Sequence, residues 1–252
     1  MPQSRSTCPP AHKARAACRP ETGHAIGLAR RVGDPRFIGE ALFSLSGVPA
    51  APDRIRGLEL EALDSFRQAG DTVYISGQLN NLGALEFEDG HPEAARPHFE
   101  EAIAAAEEIG AVWLLASTWA GLGFLLLLLL QGELEAAAAL ARKSLIAGRR
   151  LGLRTAVARA IFVLACCATG AGDYCWAAQL TGAHDVIDAA VIDTSPTCYW
   201  TPVDQRVRDD NLARLRLALG EGEFDRAYLA GRALGPDQAV DLALARAPSA
   251  GK

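Results

Sequence analysis

Apolar residues recur every three or four positions between Pro92 and Gly110, in the segment PEAARPHFEEAIAAAEEIG. On a helix of 3.6 residues per turn this spacing forms one apolar stripe, and glutamates occupy the opposite face. A proline in the first turn and a glycine after the last apolar residue are typical of the two ends of a helix. The pattern therefore predicts an amphipathic helix over residues 92–109. Its stripe consists of Ala95, Phe99, Ala102, Ile103, Ala106 and Ile109.

The same pattern recurs along the chain at regular intervals. Gly70 and Gly110 are 40 residues apart, and Gly110 and Gly152 are 42 apart. Short turn sequences recur as well, namely GHPEAA at 90–95, GELEAA at 132–137 and GDYCWAA at 172–178. Self-similarity at such a period indicates stacked helix pairs, because one pair cannot bury its apolar face alone. The period is longer than the ~34 residues of a standard tetratricopeptide repeat and is close to the HEAT range.

These observations predict an all-α protein. We expect a right-handed solenoid of stacked antiparallel helix pairs, tetratricopeptide-like in organisation, with a C-terminal helical cap. No segment shows the sustained alternation of apolar and polar residues that marks a strand. The helices expected in the repeats cover 53–69, 73–88, 92–109, 111–130, 134–150, 153–169 and 174–190.

Composition divides the chain into three regions. Residues 1–23 are proline-rich and basic, which favours a disordered leader over the alternative of a basic arm that touches nucleic acid. Residues 24–192 have the repeat pattern. We expect residues 193–252 to form a loop followed by helices that cap the array.

Charge and cysteine content narrow the class of protein. The formal net charge of −5 gives no basis for direct nucleic-acid binding. The six cysteines show no CxxC spacing, and the leader lacks the apolar region of a secretory signal. We therefore expect reduced, mostly buried thiols in a cytoplasmic protein. A zinc or redox site is the alternative.

The segment 111–131, AVWLLASTWAGLGFLLLLLLQ, contains no charged residue. By length it matches a membrane span, and a membrane-associated protein anchored by 111–131 is one interpretation. The other is a central solenoid helix that is packed on all sides and is therefore apolar all round. Acidic residues flank the segment on both sides without a positive-inside bias, which favours the buried helix.

Three segments in order resemble a known family. They are LGALEFEDGHPEAARPHFEEAIAAAEEIG at 82–110, AAQLTGAHDVIDAA at 177–190 and LGEGEFDRAYLAGRALGPDQAVDLALA at 219–245. Together they resemble the carboxy-terminal part of bacterial STAND-type ATPase regulators, which have a tetratricopeptide-like sensor region and in many cases a LuxR-type helix-turn-helix. The resemblance covers about residues 25–245 and implies a module related to bacterial transcriptional regulators.

Two activities of that family have no counterpart in these residues. The sequence lacks the GxxxxGK[ST] of a P-loop, and Gly121-Leu-Gly123 lies in a helical pattern, where it indicates close packing. Few residues follow Ala245, where the helix-turn-helix of the family would stand. We therefore expect a truncated, non-catalytic sensor or scaffold module that binds a protein or peptide. We expect no enzyme activity and no cofactor, and the oligomeric state is left open.

The sequence offers one pair of candidate binding residues. Asn80 and Asn81 lie on the first helix of a repeat, the type that lines the groove of such solenoids, where an amide binds a peptide backbone or a carboxylate. The alternative is a solvated or locally hydrogen-bonded pair. His184 and Asp185 are interpreted as a surface pair, because no nucleophile is placed beside them. No catalytic, cofactor-binding or metal-binding residue is predicted.

Overall fold

The structure is a computed structural model that describes residues 19–48, 50–129, 133–194 and 201–246. Within these ranges every regular element is an α-helix. The helices are α1 (Arg19–Val32), α2 (Pro35–Ser46), α3 (Pro52–Ala69), α4 (Thr72–Glu88), α5 (Pro92–Glu108), α6 (Val112–Leu129), α7 (Leu134–Leu151), α8 (Arg154–Gly170), α9 (Tyr174–Thr194), α10 (Pro202–Leu219), α11 (Glu221–Arg232) and α12 (Pro236–Leu244).

The helices predicted for the repeats match α3–α9 to within one or two residues, apart from the end of α9. That helix continues to Thr194, four residues past its predicted end, because the first proline after it stands only at 196. The first helix begins at Arg19, inside the region expected to be a leader. Several predictions fall outside the described residues: the leader over 1–18, the segment 130–132, the loop over 195–200, the C-terminal end from 247, and the cysteines at 8, 18 and 198.

Local sequence sets both ends of these helices. A proline occupies the first turn of α2, α3, α5, α10 and α12, where its missing N–H would have no partner in the helix. Gly70 and Gly152 follow α3 and α7 with φ of 67° and 69°, a conformation that favours glycine. These two helix stops account for part of the 40-residue period in the sequence.

The chain forms two compact units, Met1–Gln78 and Leu79–Lys252. The first unit has a small core of Ile26, Leu42, Ala62 and Phe66. The ring of Phe66 stacks on Tyr74 with 4.6 Å between centroids. A side chain at Gly39 would come within 2.6 Å of the Phe66 ring, so α2 can lie against α3 only where the side chain is absent.

A carboxyl group is buried in this first unit without full compensation. Glu59 is 7% exposed, and its Oε2 has no hydrogen-bond partner among the described residues. Burial raises the pKa of Glu59 above its ordinary value, and a hydrogen bond with Ser46 opposes part of that shift. The charged form of Glu59 therefore destabilises the folded state.

In the second unit each helix from α5 to α9 packs against the next, and α6 also packs against α8. This is the arrangement of stacked antiparallel pairs, so the predicted all-α helical solenoid is confirmed. Between Ala156 and Thr169 every side chain of α8 except that of Arg159 is buried. Helices α6, α7, α9, α10 and α12 all contact α8.

Helix α6, which lies within the uncharged segment 111–131, packs against neighbouring helices. Its buried residues include Leu115, Leu122, Phe124 and Leu125, and they belong to cores shared with α5, α7 and α8. In the part of the chain that the structure describes, no helix is both long and apolar enough to cross a membrane. Of the two interpretations of 111–131, the structure favours the buried helix.

Glycines let the helices of the repeats approach closely, as expected for Gly121-Leu-Gly123. The ring of Phe99 on α5 fits between α4 and α6, where a Cβ at Gly83 or Gly121 would lie 3.0 Å or 2.9 Å from it. A Cβ at Gly123 would lie 3.2 Å from the carbonyl oxygen of Ala137 on α7. Both glycines of the motif therefore allow neighbouring helices to pack closely against α6.

Two further glycines bring α9 and α11 into direct backbone contact. A Cβ at Gly182 would lie 2.0 Å from the carbonyl oxygen of Tyr228, and a Cβ at Gly231 would lie 1.9 Å from that of Gln179. No side chain fits at either position without moving one helix. Gly182 lies in the segment 177–190 and Gly231 in the segment 219–245.

We expect Gly231→Ala to lower the free energy of unfolding by about 3 kcal/mol or more, because the added methyl group pushes α11 away from α9. Gly222→Ala is the matched control. It lies in the same helix, and no atom lies within 4 Å of the position that its methyl group would take, so we expect a change within about 1 kcal/mol, in the stabilising direction. Urea unfolding measures both. Equal stabilities of the two variants would contradict the close crossing.

We expect Glu59→Gln to raise the free energy of unfolding at pH 7 by about 1 kcal/mol, since it removes a buried charge. The raised pKa means that the wild type loses stability as pH rises from below the ordinary glutamate value through the folded value. The variant should therefore gain its advantage over that range and lose it at lower pH. Denaturant unfolding between pH 4 and 8 measures the difference, with the exposed Asp64→Asn as control. An advantage that is constant with pH would contradict this account.

Candidate functional site

A groove opens in the second unit between the first helices of successive pairs. Helices α4, α6 and α8 provide most of its surface, and the N-terminal turn of α10 lies at one end. Its volume is about 170 Å³. We call this cavity the inner groove. It is lined by Asn80, Ala84, Phe87, Glu88, Phe99, Ser117, Ala120, Gly121, Phe124, Thr155, Ala156, Arg159, Thr201 and Asp204.

Aromatic rings form the apolar part of the inner groove. Phe87 and Phe124 meet edge to face, with 5.5 Å between centroids. Phe124 is itself buried and packs on Phe162 behind it, at 5.7 Å. The rings are thus held by the core and present a fixed apolar surface.

An ion pair links α8 to α10 at the end of the groove. The guanidinium of Arg159 donates through both terminal nitrogens to the carboxylate of Asp204, and lies 5.2 Å from the centre of the Phe124 ring. Asp204 is 2% exposed and Arg159 is half-buried. Such a bidentate ion pair fixes the geometry of both side chains.

The same carboxylate begins helix α10. The backbone N–H of Thr201 donates to Asp204 at 3.0 Å, and the hydroxyl of Thr201 accepts from the backbone N–H of Asp204 at 3.1 Å. This reciprocal capping box satisfies two N–H groups that a helix start leaves without partners. Asp204 therefore both caps the N-terminus of α10 and pairs with Arg159.

Glu88 lines the groove at the C-terminal end of α4 and is exposed to solvent on its outer side. Burial of its carboxyl group and the negative charge of Asp204 raise the pKa of Glu88, and Arg159 opposes this shift. Arg159 is engaged by Asp204, so it neutralises Glu88 only in part. The groove therefore has one carboxylate in excess over its cation.

The structure separates the two asparagines predicted to line a groove. Asn80 lines the inner groove, whereas Asn81 is half-buried on α4 and is not among the lining residues. Adjacent helix positions point about 100° apart, so neighbours on one helix need not line the same cavity. The assignment of Asn80 as a binding residue stays a prediction.

Sequence reasoning missed the three charged residues of the groove. Arg159 was detectable in principle, because it is the lone charge in the apolar run AVARAIFVLACCA. Asp204 was not, since it lies 45 positions further on. Glu88 looked like an ordinary surface residue at a helix end.

A second cavity of about 310 Å³ lies between the turn from α7 to α8, helix α9 and the start of α12. Arg149 and Asp237 lie at this cavity, and Val157, Ile187 and Val240 supply apolar surface. Arg149 pairs with Asp241 at 2.6 Å. Among the described residues, no aromatic ring lines it.

The interpretation of His184 and Asp185 as a surface pair is wrong. His184 is 2% exposed, and Asp185 is largely buried between α9, α10 and α11. Asp185 accepts hydrogen bonds from the guanidinium of Arg208 at 2.7 Å and from the hydroxyl of Tyr228, and its Oδ1 lies 3.2 Å from Nδ1 of His184. Burial alone would raise the pKa of Asp185, but these hydrogen bonds outweigh it and lower the pKa to about 2.

The sequence predicted mostly buried thiols, and two of the three cysteines in the described residues are buried. Cys166 and Cys167 are buried, and burial raises the pKa of both thiols, that of Cys167 to about 12. Cys175 is exposed. Over the ranges that the structure describes, no group of three or more His, Cys, Asp or Glu side chains is arranged to hold a metal ion.

Comparison with known protein families identifies a tetratricopeptide repeat at residues 77–109. The match begins within α4 and ends just after α5, so it covers the groove-lining half of α4 together with the helix that packs behind it. A tetratricopeptide-type repeat is therefore present in the chain. No curated protein matches the sequence.

We expect Asp185→Asn to lower the free energy of unfolding at pH 7 by about 3 kcal/mol, since it removes the charge that pairs with half-buried Arg208. The depressed pKa means that the wild-type carboxylate stabilises the fold above its ordinary pKa, and that this contribution is lost as pH falls towards 2. The difference between wild type and variant should shrink over that range. Urea unfolding at pH 7 and pH 3 measures it. The exposed Asp225→Asn should change stability by less than about 0.5 kcal/mol, and a similar loss in that control would contradict the assignment.

Proposed function

We propose that the chain is a non-catalytic interaction module that binds a segment of a protein partner in the inner groove. Tetratricopeptide repeats mediate protein–protein interactions, and helical solenoids bind partners along their concave surfaces. The observation behind the proposal is the groove itself, which opens between the first helices of successive pairs and combines fixed aromatic rings with polar side chains.

The size of the groove favours a protein segment over a free small molecule. Its volume of about 170 Å³ is below the ~300–1,000 Å³ of typical small-molecule sites. That space holds one or two side chains, while the rest of the segment lies along the helices. Asn80 and Ser117 line the groove, and an amide or a hydroxyl can hydrogen-bond the backbone of such a segment.

We further infer that the module is a sensor or scaffold part related to bacterial STAND-type regulators, and that it works in the cytoplasm. The inference rests on the resemblance over residues 25–245. The direct contact of α9 with α11 supports it, because Gly182 and Gly231 are required there and lie in two of the three segments that carry the resemblance. In such a regulator, ligand binding would shift the conformational equilibrium of the attached ATPase. Neither ATP hydrolysis nor DNA binding is proposed for this chain.

Site-specific photo-crosslinking tests the groove. A benzophenone amino acid at Ser117, an exposed residue of the groove, should crosslink a partner segment in native cells. Mass spectrometry then identifies the segment, and its synthetic peptide is titrated by calorimetry. We expect Ser117→Trp to weaken that binding about tenfold or more, because the indole fills the space that the segment occupies.

Ala104 provides the matched control. It is an exposed residue of α5 and does not line the groove. The crosslinker at this position should not capture the same segment, and Ala104→Trp should leave the affinity unchanged. Equal capture from both positions, or an affinity indifferent to Ser117→Trp, would refute binding in the groove.

A further inference from the structure

The charges in the inner groove determine what kind of side chain fits it. Within the described residues that line it, Arg159 is the only cation, and the carboxylates are Asp204 and Glu88. Arg159 and Asp204 neutralise each other through two hydrogen bonds. The remaining charge in the groove is the negative charge of Glu88.

An acidic ligand fits this arrangement poorly. To reach Arg159 it would have to displace Asp204, which is 2% exposed and also caps α10. That would leave a buried carboxylate without its cation. A neutral apolar side chain would use the aromatic rings but would leave Glu88 uncompensated.

A long cationic side chain uses both features. Its aliphatic stem can lie on Phe87 and Phe124, which meet edge to face at 5.5 Å, while its charged end stays near water at the exposed side of Glu88. The ring faces also attract a cation, as the position of Arg159 over Phe124 at 5.2 Å illustrates.

We propose that the inner groove binds a lysine or arginine side chain of the partner segment, with its stem against Phe87 and Phe124 and its charge at the carboxylate of Glu88. This inference rests on the proposed function and specifies the chemistry of the segment. The groove would therefore select basic segments over acidic ones.

The protonation of Glu88 should couple to binding. The charged groups near it are Asp89 beside it in the chain, Asp204 from α10 and Arg159 from α8. A bound cation favours the ionised form of Glu88, so binding lowers the pKa that burial raises. The affinity for a cation should accordingly rise with pH through the Glu88 titration.

The test uses three probes of similar length that differ in the charge of the head group: n-pentylamine, 1-pentanol and pentanoate. Each is titrated into the full chain at millimolar concentration, and amide and aromatic NMR shifts around Phe87 and Phe124 report the binding. We expect the amine to bind about fivefold more tightly than the alcohol, and pentanoate more weakly than both. Raising the salt concentration should reduce the preference for the amine.

Glu88→Gln should abolish the preference for the amine and its pH dependence, while the affinity for pentanol is unchanged. Glu93→Gln is the control, because Glu93 is an exposed carboxylate that does not line the groove, and it should behave as wild type. Tighter binding of pentanoate than of the amine, or an unchanged preference in Glu88→Gln, would overturn the proposal.

The experiments distinguish a failure of the proposed interaction module from a failure of the proposed cationic site. A partner segment that crosslinks from Ser117 but has no lysine or arginine at the contact would leave the interaction module standing and refute the cationic site. A basic residue at the crosslinked position would support both. Amine selectivity without any groove-specific crosslink would support the site and refute the binding of a partner segment.

Discussion

The burial of helix α8 is the constraint on which the second unit depends. Between Ala156 and Thr169 only Arg159 reaches solvent. Exposing any face of this helix would therefore transfer apolar side chains into water, which is unfavourable. Five other helices contact it. Of these, α9 ends the repeat array, and α10 and α12 follow it. The apolar α6 beside it is explained in the same way, as a second central helix rather than an isolated apolar segment.

One charge on such a helix needs a dedicated partner. Arg159 meets Asp204, and Asp204 in turn starts α10 through its capping box with Thr201. A single carboxylate thus compensates a half-buried cation, nucleates a helix and limits the groove at one end. Glu88 lies near this pair without belonging to it, and this gives the groove its excess negative charge.

Features that depend on local spacing could be predicted from the sequence, and features that depend on distant contacts could not. Left-handed glycines such as Gly70 and Gly152 mark helix ends wherever they occur, so the boundaries of the repeat helices were predictable to within a residue or two. Asn80 was placed on a groove-lining helix for the same reason. The cluster around Asp185 was misjudged because its partners Arg208 and Tyr228 are 23 and 43 residues away. Arg159 and Asp204 converge in the same non-local way.

The capping box of α10 has a consequence for how this groove can be inherited or engineered. A run of repeats is usually regarded as a modular array that can be shortened or exchanged between proteins. Here Thr201 and Asp204 come from beyond the array, yet they complete the groove that its helices form. Recombination that exchanged only the repeats would separate Arg159 from its counter-ion. The repeats and the C-terminal helices of this chain therefore form one unit of exchange.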